Sequence, residues 1–292
     1  FLNVKEKLAE YIFKSNGALQ ATANNKKYLG GGTDLYVQQH DSMPNTDIDF
    51  LFDKTHLNGI EQKGNTCFMG ASVTVSDIAS SPVFRQYFPG LQEYIKLVSS
   101  TQIRNMATIA GNFVNASPIG DFTIFFLALN AQLILSDGAS SKEVALRNFY
   151  KGYKILNKSP EDHIEKIYFE LPSPAAQFNF EKVCKRTHLD IASVNSAIYM
   201  EMDAGIIKAA GLAAGGVGPV PAYLVNTSSY LTGKKIDIEV IEEAVQIAQT
   251  EISPITDARG TATYKRFLLG QLIKAHFIKL FPQLPVGLLV QQ

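Results

Sequence analysis

The chain has 292 residues, of which 46% are hydrophobic and 18% charged, and its 27 Lys and Arg residues balance 27 Asp and Glu residues. This composition is typical of a globular protein with enough apolar side chains for one large domain or two ordinary ones. The zero net charge argues against a nucleic-acid partner, and the most apolar stretch, residues 122–135, is too short and too polar to span a membrane. Because the first residues show no signal-peptide pattern, we expect a cytoplasmic protein.

The cysteine and histidine content excludes several kinds of site. The two cysteines, Cys67 and Cys184, cannot hold an iron–sulfur cluster alone, because such a cluster usually needs four thiolates. We expect both to be reduced thiols, since disulfides are rare in cytoplasmic proteins. The five histidines show no metal-ligand spacing and no nucleophile motif is present, so neither a metal site nor a catalytic residue is predicted.

In the first part of the chain, short hydrophobic segments alternate with turn-forming residues. They predict helix 4–14, strand 26–29, a helical turn at 34–39, strands 47–52 and 66–75, a helix from Asp77 capped by Ser76, and helix 83–98 broken near Pro89. Residues 102–121 have no clean period and several turn formers, which predicts a long ordered loop with short strand pieces. Helix 122–129 and strand 132–136 are predicted next.

The second part of the chain has longer and more regular elements. A boundary is predicted at residues 171–174, where two prolines interrupt regular structure. Beyond it the pattern predicts strands 178–185, 193–202 and 206–215, the last two forming a hairpin, and then amphipathic helices 238–252 and 261–281. The predicted fold class is α+β: a cofactor-binding half made of two small lobes, followed by a sheet backed by helices.

Residues 28–34 read Tyr-Leu-Gly-Gly-Gly-Thr-Asp and follow a predicted strand. The three glycines, Gly30, Gly31 and Gly32, allow the backbone to approach a ligand closely, and a turn between a strand and a helix presents N–H groups that suit a diphosphate. We expect Asp34 to accept backbone N–H groups and rigidify the loop rather than contact phosphate. The alternative is a tight glycine turn without a ligand, and this motif alone does not separate the two.

The stretch 102–121 suits a second wall of the same site. Small polar residues and one glycine offer short hydrogen-bonding groups and close backbone approach: Thr108, Gly111, Asn112, Asn115 and Ser117. Asp121 can accept hydrogen bonds from ribose hydroxyls or cap the helix predicted from Phe122, and the two roles are compatible. Together the two stretches predict one site for an elongated cofactor that carries phosphate groups.

Four stretches in order carry a resemblance to a known family: 28–34, 102–121, 180–195 and 255–266. They resemble the FAD-binding subunit or domain of molybdenum hydroxylases of the xanthine dehydrogenase family, most of all the small subunit of bacterial two-subunit enzymes without its iron–sulfur region. The resemblance implies a two-lobed FAD-binding domain of the PCMH type, with lobes 1–52 and 53–173. It also implies a C-terminal α+β domain at 174–292, made of an antiparallel sheet and helices.

The resemblance also implies which residues bind FAD. Leu29, Gly30, Gly31, Gly32, Thr33 and Asp34 would wrap the diphosphate, opposite Thr108, Gly111, Asn112, Asn115, Ser117 and Asp121. Lys185 or Arg186 would lie near the isoalloxazine, where a cation stabilises the anionic reduced flavin. The alternative for these cations is a solvated strand end paired with Asp190. One departure is Ala110, where many relatives have glycine, and its methyl group would tighten the pocket. Residues 257–261 are interpreted as a fold signature and partner-docking element.

No side chain of this chain supplies redox chemistry, so the implied function depends on FAD. By resemblance, electrons from a molybdopterin centre pass through [2Fe–2S] clusters to FAD and leave to NAD+. The implied partners are a molybdopterin-binding large subunit and an iron–sulfur subunit, or an iron–sulfur domain fused before Phe1, with no nucleic acid and no membrane. Two alternatives stay open: a self-contained flavoprotein oxidase or reductase of similar fold, and a scaffold subunit that has lost FAD.

Overall fold

The computed structural model describes residues 27–52, 54–186, 188–285, 287 and 289, so the helix predicted at 4–14 lies outside the described residues. The first segment contains strand β1 (Lys27–Leu29), helix α1 (Leu35–Gln38) and strand β2 (Ile48–Phe50), and its two strands pair in parallel. The predicted strand, helical turn and second strand are therefore confirmed. The glycine turn lies between β1 and α1, where the sequence pattern placed it.

A five-stranded antiparallel sheet follows. Its strands are β3 (Ile60–Lys63), β4 (Thr66–Gly70), β5 (Gln132–Ser136), β6 (Ser141–Ala145) and β9 (His163–Glu170), and their order is β3-β4-β9-β5-β6. Strands β7 (Tyr150–Gly152) and β8 (Ile155–Leu156) form a separate small hairpin. Strand 132–136 was predicted, whereas β3, β6 and β9 were not. The strand predicted at 66–75 is confirmed only as far as Gly70, and Val75 already begins a helix.

Six short helices connect β4 to β5. They are α2 (Val75–Ser80), α3 (Pro82–Tyr87), α4 (Leu91–Lys96), α5 (Thr101–Met106), α6 (Ile109–Asn115) and α7 (Asp121–Ala128). The break predicted near Pro89 is confirmed, because α3 ends before it and α4 begins after it. The cap predicted at Ser76 is wrong: Thr74 caps α2 in a reciprocal capping box with Asp77, so the helix begins two residues earlier than predicted.

The loop predicted at 102–121 is also wrong in its local structure. Helices α5 and α6 occupy most of it, each started by a hydroxyl cap: Ser100 accepts a hydrogen bond from the Ile103 N–H, and Thr108 accepts one from the Gly111 N–H. Each helix has only six or seven residues, which is too short to develop a clear hydrophobic period. The caps, rather than the periodicity, were the usable signal.

The C-terminal part is an antiparallel sheet of strands β10 (Ala176–Val183), β11 (Val194–Asp203), β12 (Ile206–Gly215) and β13 (Ala222–Tyr223). Helices α8 (Val225–Leu231), α9 (Ile238–Thr250) and α10 (Ala262–Leu280) follow. The three predicted strands and both predicted helices are confirmed, and the mixed helix and antiparallel sheet architecture confirms the α+β fold class. The amphipathic pattern holds for α9 but is wrong for α10, which buries Lys265, Lys274 and His276 among its apolar side chains. The exact division into 1–52, 53–173 and 174–292 stays a prediction.

The C-terminal sheet is shared by two hydrophobic cores. Ala197 and Ala213 belong to the first core, which also contains α7, whereas Ile198 and Leu212 belong to the second core with α9 and α10. This division follows from the two-residue period of a strand, which sends neighbouring side chains to opposite faces. The cofactor-binding half and the C-terminal helices are therefore packed on the two faces of one sheet.

A buried polar chain crosses the same junction. Asn179 on β10 donates from Nδ2 to His276 Nδ1 at 2.9 Å and accepts from the Tyr94 hydroxyl at 3.2 Å. His276 Nε2 lies 3.0 Å from Ser196 Oγ, which donates to the Ala213 carbonyl at 2.9 Å. Because an amide nitrogen only donates, Nδ1 is the acceptor and Nε2 carries the proton. Burial lowers the pKa of His276 to about 3, so the ring is neutral at physiological pH.

Candidate cofactor site

A cleft of about 520 Å³ lies between the glycine turn and helix α6. Most of the predicted site residues line it: Leu29, Gly30, Gly31, Gly32, Thr33, Asp34, Thr108, Gly111, Asn112 and Asn115. The structure therefore brings together the two stretches that the sequence analysis paired, although about 75 residues separate them in the chain. Four predicted residues do not line this cleft: Ser117, Asp121, Lys185 and Arg186.

The first wall of the cleft is the glycine turn. Among the described residues, no hydrogen-bond acceptor is found for the consecutive backbone N–H groups of residues 30–34. Gly31 is required by close packing, because a Cβ at this position would lie 1.5 Å from the carbonyl oxygen of Met106. Gly32 has a φ of 71°, in the left-handed region that favours glycine. The turn is thus held tightly against α5 while its N–H donors stay available.

The second wall is the start of helix α6, and its polar groups are mostly used within the protein. Thr108 Oγ1 accepts from the Gly111 N–H at 3.1 Å, and the Ile109 N–H donates to the Val73 carbonyl at 2.9 Å. Asn112 Oδ1 accepts from both the N–H and the hydroxyl of Thr123, at 3.0 and 2.9 Å. This wall therefore shapes the cleft and fixes α6 to α7, and it leaves fewer free donors than the first wall.

Three lysines in the cleft lining were missed by the sequence analysis: Lys27, Lys154 and Lys158. The acidic residues of the lining are Asp34 and Asp162, so the cleft has a small positive surplus. Burial lowers the pKa of both Lys154 and Lys158, and the nearby carboxylates act in the opposite direction. A balanced net charge gave no hint of this local surplus, because it depends on the hairpin β7–β8 and the segment after it folding over the cleft.

Asp121 belongs to the domain junction rather than to the cleft lining. Its carboxylate accepts from Lys182 Nζ at 2.7 Å and from Asn195 Nδ2 at 2.6 Å. Burial raises the pKa of Asp121, while Lys182 and Asn195 act to lower it. The predicted capping role is wrong, because Gly120 is the N-cap residue and Asp121 is the first residue of α7.

The cation joined to Asp121 is Lys182, which the sequence analysis did not select. The Lys182 side chain is only 2% exposed and also donates to the Leu97 carbonyl at 2.8 Å. Lys185 is exposed and donates to the Ala258 carbonyl at 2.6 Å. Strand alternation could have found Lys182, because it places this residue on the same face as the buried Phe180.

The other two predicted groups outside the cleft have local partners. Ser117 Oγ accepts from the Ile119 N–H at 3.4 Å, within the turn that follows α6. Arg186 forms an exposed ion pair with Asp190 at 3.3 Å, and the hydrogen bond from the Arg186 N–H holds the pKa of Asp190 below its usual range. The alternative of a solvated strand end paired with Asp190 therefore describes Arg186 well.

Three further observations concern the cysteines, metal sites and membrane-spanning helices. Cys67 and Cys184 are both free thiols, as predicted. No group of three or more His, Cys, Asp or Glu side chains within the described ranges is arranged to hold a metal ion. None of the helices that the structure describes is both long and apolar enough to cross a membrane.

This fold, with a cleft lined by a glycine turn and a capped helix, defines a nucleotide-cofactor-binding protein of two parts. Residues 13–173 match the family of the FAD binding domain in molybdopterin dehydrogenase, and residues 180–280 match the CO dehydrogenase flavoprotein C-terminal domain. The chain belongs to the FAD-binding family of molybdopterin dehydrogenases. FAD is accordingly its cofactor, and the chain is part of an oxidoreductase.

Individual relatives support this assignment. The chain is 26% identical to the nicotinate dehydrogenase FAD-subunit of Eubacterium barkeri over 89% of each chain. It is 25% identical to xanthine dehydrogenase of Emericella nidulans over 83% of this chain but only 19% of that much longer protein. A carbon monoxide dehydrogenase structure from Hydrogenophaga pseudoflava, which lacks the Mo-pyranopterin moiety of its cofactor, shares the fold with a TM-score of 0.82 at 24% identity, over 94% of both chains.

Proposed function

We propose that FAD binds in the cleft with its diphosphate against the glycine turn. The observation that carries this proposal is the run of backbone N–H groups at residues 30–34 with no acceptor among the described residues. Consecutive N–H groups form a favourable site for phosphate oxygens, and the lysines of the lining add a positive potential. The residues proposed to hold FAD are the predicted ones that line the cleft, from Leu29 to Asp34 and from Thr108 to Asn115. Ser117, Asp121 and Lys185 are proposed to support the site indirectly.

FAD supplies the redox chemistry when it is bound, and the chain's own residues position it. The glycine turn provides donors, and α6 closes the opposite side without competing for the same donors. Ala110 lines the cleft and is only 7% exposed, so its methyl group fills part of this wall rather than protruding across it. The methyl is thus compatible with a bound cofactor, which favours a flavin-loaded subunit over a scaffold that has lost FAD.

We further propose that the chain works within a molybdenum hydroxylase complex. One relative is by name an FAD-subunit, and the matched family is that of molybdopterin dehydrogenases, which supports partner chains carrying [2Fe–2S] clusters and molybdopterin. Electrons would pass from the clusters through FAD to an acceptor, and we propose NAD+ as that acceptor, as the sequence resemblance implies. A cytoplasmic location is part of the same proposal.

A visible absorption spectrum tests the proposal. The spectrum of the purified chain is recorded before and after FAD is added, and the flavin released from the protein is identified by its mass. NADH is then added and the spectrum is recorded again. We expect an oxidised-flavin spectrum that NADH bleaches. Bound FAD that does not react with NADH would overturn the acceptor while keeping the cofactor. Turnover of a substrate without partner chains would favour a self-contained flavoprotein, and a protein that cannot be loaded with flavin would overturn the proposal.

A further inference from the structure

Three side chains of the cleft lining meet in solvent-exposed hydrogen bonds, and we call them the mouth bridge: Gln38, Asn115 and Lys154. Gln38 Nε2 donates to Asn115 Oδ1 at 3.3 Å, and Lys154 Nζ donates to the same oxygen at 2.9 Å. Lys154 Nζ also donates to the main-chain carbonyl of Asn115. The mouth bridge therefore joins α1, α6 and the β7–β8 hairpin across the cleft, and all three of its residues line the cavity.

Among the described residues, helix α1 itself has few side-chain hydrogen bonds besides the mouth bridge, and the next one along the chain is from Lys27 Nζ to Gln39 Oε1, at 2.6 Å, directly after the helix. It has only four residues, none of them buried, and Asp34 gives it no side-chain cap. Among the described residues, the Gln38–Asn115 contact is the hydrogen bond that joins α1 to α6, and its length is near the limit for a hydrogen bond. An element with no buried side chains and few contacts opens at low free-energy cost.

The base of the same segment is held far more firmly. Gly31 packs directly against the Met106 carbonyl, and Ser72 Oγ donates to the Leu51 carbonyl at 2.6 Å. The Tyr28 hydroxyl donates to the Glu161 carbonyl at 2.9 Å. The chain is thus fixed on both sides of α1, by Gly31 before it and by Gln39 and Leu51 after it, whereas α1 between them depends on the mouth bridge. This is the arrangement of a gate hinged at both sides.

Lys154, the residue of the mouth bridge on the β7–β8 hairpin, has a strained backbone conformation. Lys154 has a φ of 58°, in the left-handed region that non-glycine residues seldom adopt. In this conformation its ammonium reaches the last carbonyl of α6, where a cation is favourable at a helix C-terminus. Lys154 thereby fixes Asn115 from one side and leaves its Oδ1 as the acceptor for Gln38 on the other.

We propose that α1 is a movable gate of the cleft and that the mouth bridge sets the rates at which FAD enters and leaves. This inference rests on the proposed binding of FAD in the cleft. FAD must pass the gate both when it binds and when it dissociates, so a closed gate slows both steps. Weakening the gate should therefore raise both rate constants more than it changes their ratio, which is Kd.

The test is the exchange kinetics of FAD in the full chain. Stopped-flow mixing of apoprotein with FAD gives the association rate constant, and displacement of bound FAD by an excess of an FAD analogue with distinct absorbance gives the dissociation rate constant. We expect Gln38→Ala to raise both about fivefold and to change Kd less than twofold. Gln38→Ala alters no charge and no buried side chain, so folding is not at risk.

A second experiment uses Lys154→Met to measure whether the effects of Lys154 and Gln38 on FAD exchange depend on each other. Because both donate to Asn115 Oδ1, the double variant is expected to release FAD about as fast as Lys154→Met alone, rather than by the product of the two effects. Matched controls are Val37→Ala on α1 and Lys151→Met on the hairpin, both exposed and outside the cleft lining, and both are expected to exchange FAD at the wild-type rate.

The outcomes separate the gate from the binding site itself. Faster dissociation with unchanged association in Gln38→Ala identifies a direct contact with FAD and overturns the gate, as does unchanged exchange. Independent, multiplying effects of the two variants also overturn it. A wild-type chain that binds no FAD overturns the proposed function instead, and this result appears in the spectrum before any variant is made.

Discussion

The cleft and the junction with the C-terminal sheet differ in whether their polar groups have hydrogen-bond partners within the protein. In the cleft, the backbone N–H groups of residues 30–34 have no acceptor among the described residues. At the junction, Lys182 forms an ion pair with Asp121 and both ring nitrogens of His276 are hydrogen-bonded, although Asn195 Oδ1 is buried there without a partner among the described residues. Free donors suit a ligand, whereas satisfied buried groups fix the packing of the protein. Changes at the junction should therefore reduce stability, and changes in the cleft should mainly reduce FAD affinity.

The largest effect is expected from Asp121→Asn at the junction. The substitution keeps the shape of the side chain but leaves the buried Lys182 ammonium without its counter-charge. Breaking one partner of a buried ion pair costs about 3–5 kcal/mol of the free energy of unfolding. Urea unfolding, followed by far-UV circular dichroism, measures the change in the midpoint.

Asp190→Asn is the matched control, because its ion pair with Arg186 is exposed on the arginine side. Such a pair contributes less than about 1 kcal/mol. If both variants lose the same stability, the junction pair is no more important than a surface pair, and the contrast between cleft and junction is wrong.

A clear but smaller effect is expected from Gly31→Ala on the cleft side. The new methyl group cannot coexist with the Met106 carbonyl, so the glycine turn must move away from α5. Overpacking of this kind costs roughly 1–3 kcal/mol, and we expect it to appear as a loss of FAD affinity of about tenfold in a flavin titration. Gly218→Ala is the control, since its methyl group would meet only ordinary contacts at 3.8 and 3.9 Å. Wild-type affinity in Gly31→Ala would show that the turn does not bind the cofactor.

The junction also predicts a pH dependence through His276. Its pKa in the folded protein is about 3, below the ordinary value of 6.5, so the unfolded chain binds more protons between these two values. Stability from this group is complete above pH 6.5 and falls as the pH falls towards 3, by about 1.4 kcal/mol per pH unit at most. Urea unfolding at pH 7, 6, 5 and 4 measures the slope in wild type and in His276→Gln. Equal slopes in the two proteins would show that His276 is not held neutral by the fold.

Much of this contrast was visible in the sequence, but not all of it. The two stretches of the cleft, the α+β class and the long C-terminal elements were predicted, because glycine turns and long periodic segments have strong local signals. Helices α5 and α6 were missed because they are too short to show a period, although Ser100 and Thr108 could have indicated their starts. Strands β3, β6 and β9 were missed because partly exposed, charged strands give a weak pattern.

The side-chain partners were harder to predict than the elements. The buried Lys182 was not selected, because its pairing with Asp121 depends on which face of β10 packs on α7. Lys185, predicted near the isoalloxazine, contacts the Ala258 carbonyl instead. Lys154 and Lys158 reach the cleft only because the β7–β8 region folds over it. Such contacts are set by tertiary packing, which leaves no local signature in one sequence. A binding site made of backbone N–H groups can be predicted from its glycines, whereas the lysines that surround it cannot be predicted from the sequence in the same way.

The smallest expected effect concerns two threonines that both cap a short helix. Comparing them separates a contribution to stability from a contribution to FAD binding. Thr74 and Thr108 each cap a short helix, with the hydroxyl accepting an N–H at 3.1 Å, and they pair in one isolated bridge. Removal of either cap should reduce the free energy of unfolding by about 1 kcal/mol. Thr108 alone lines the cleft, and its Oγ1 would lie 2.7 Å from a Cβ on Gly30.

We therefore expect Thr108→Ala to weaken FAD binding about threefold, through loss of a hydrogen-bonding hydroxyl, and Thr74→Ala to leave it unchanged. Thermal unfolding and flavin titration of both variants give the two quantities, and Thr108→Ser, which keeps the hydroxyl, should restore affinity. Similar losses of affinity in both alanine variants would mean that α6 acts on FAD only through overall stability. An effect confined to Thr108 would show that one side chain serves both the scaffold and the cleft.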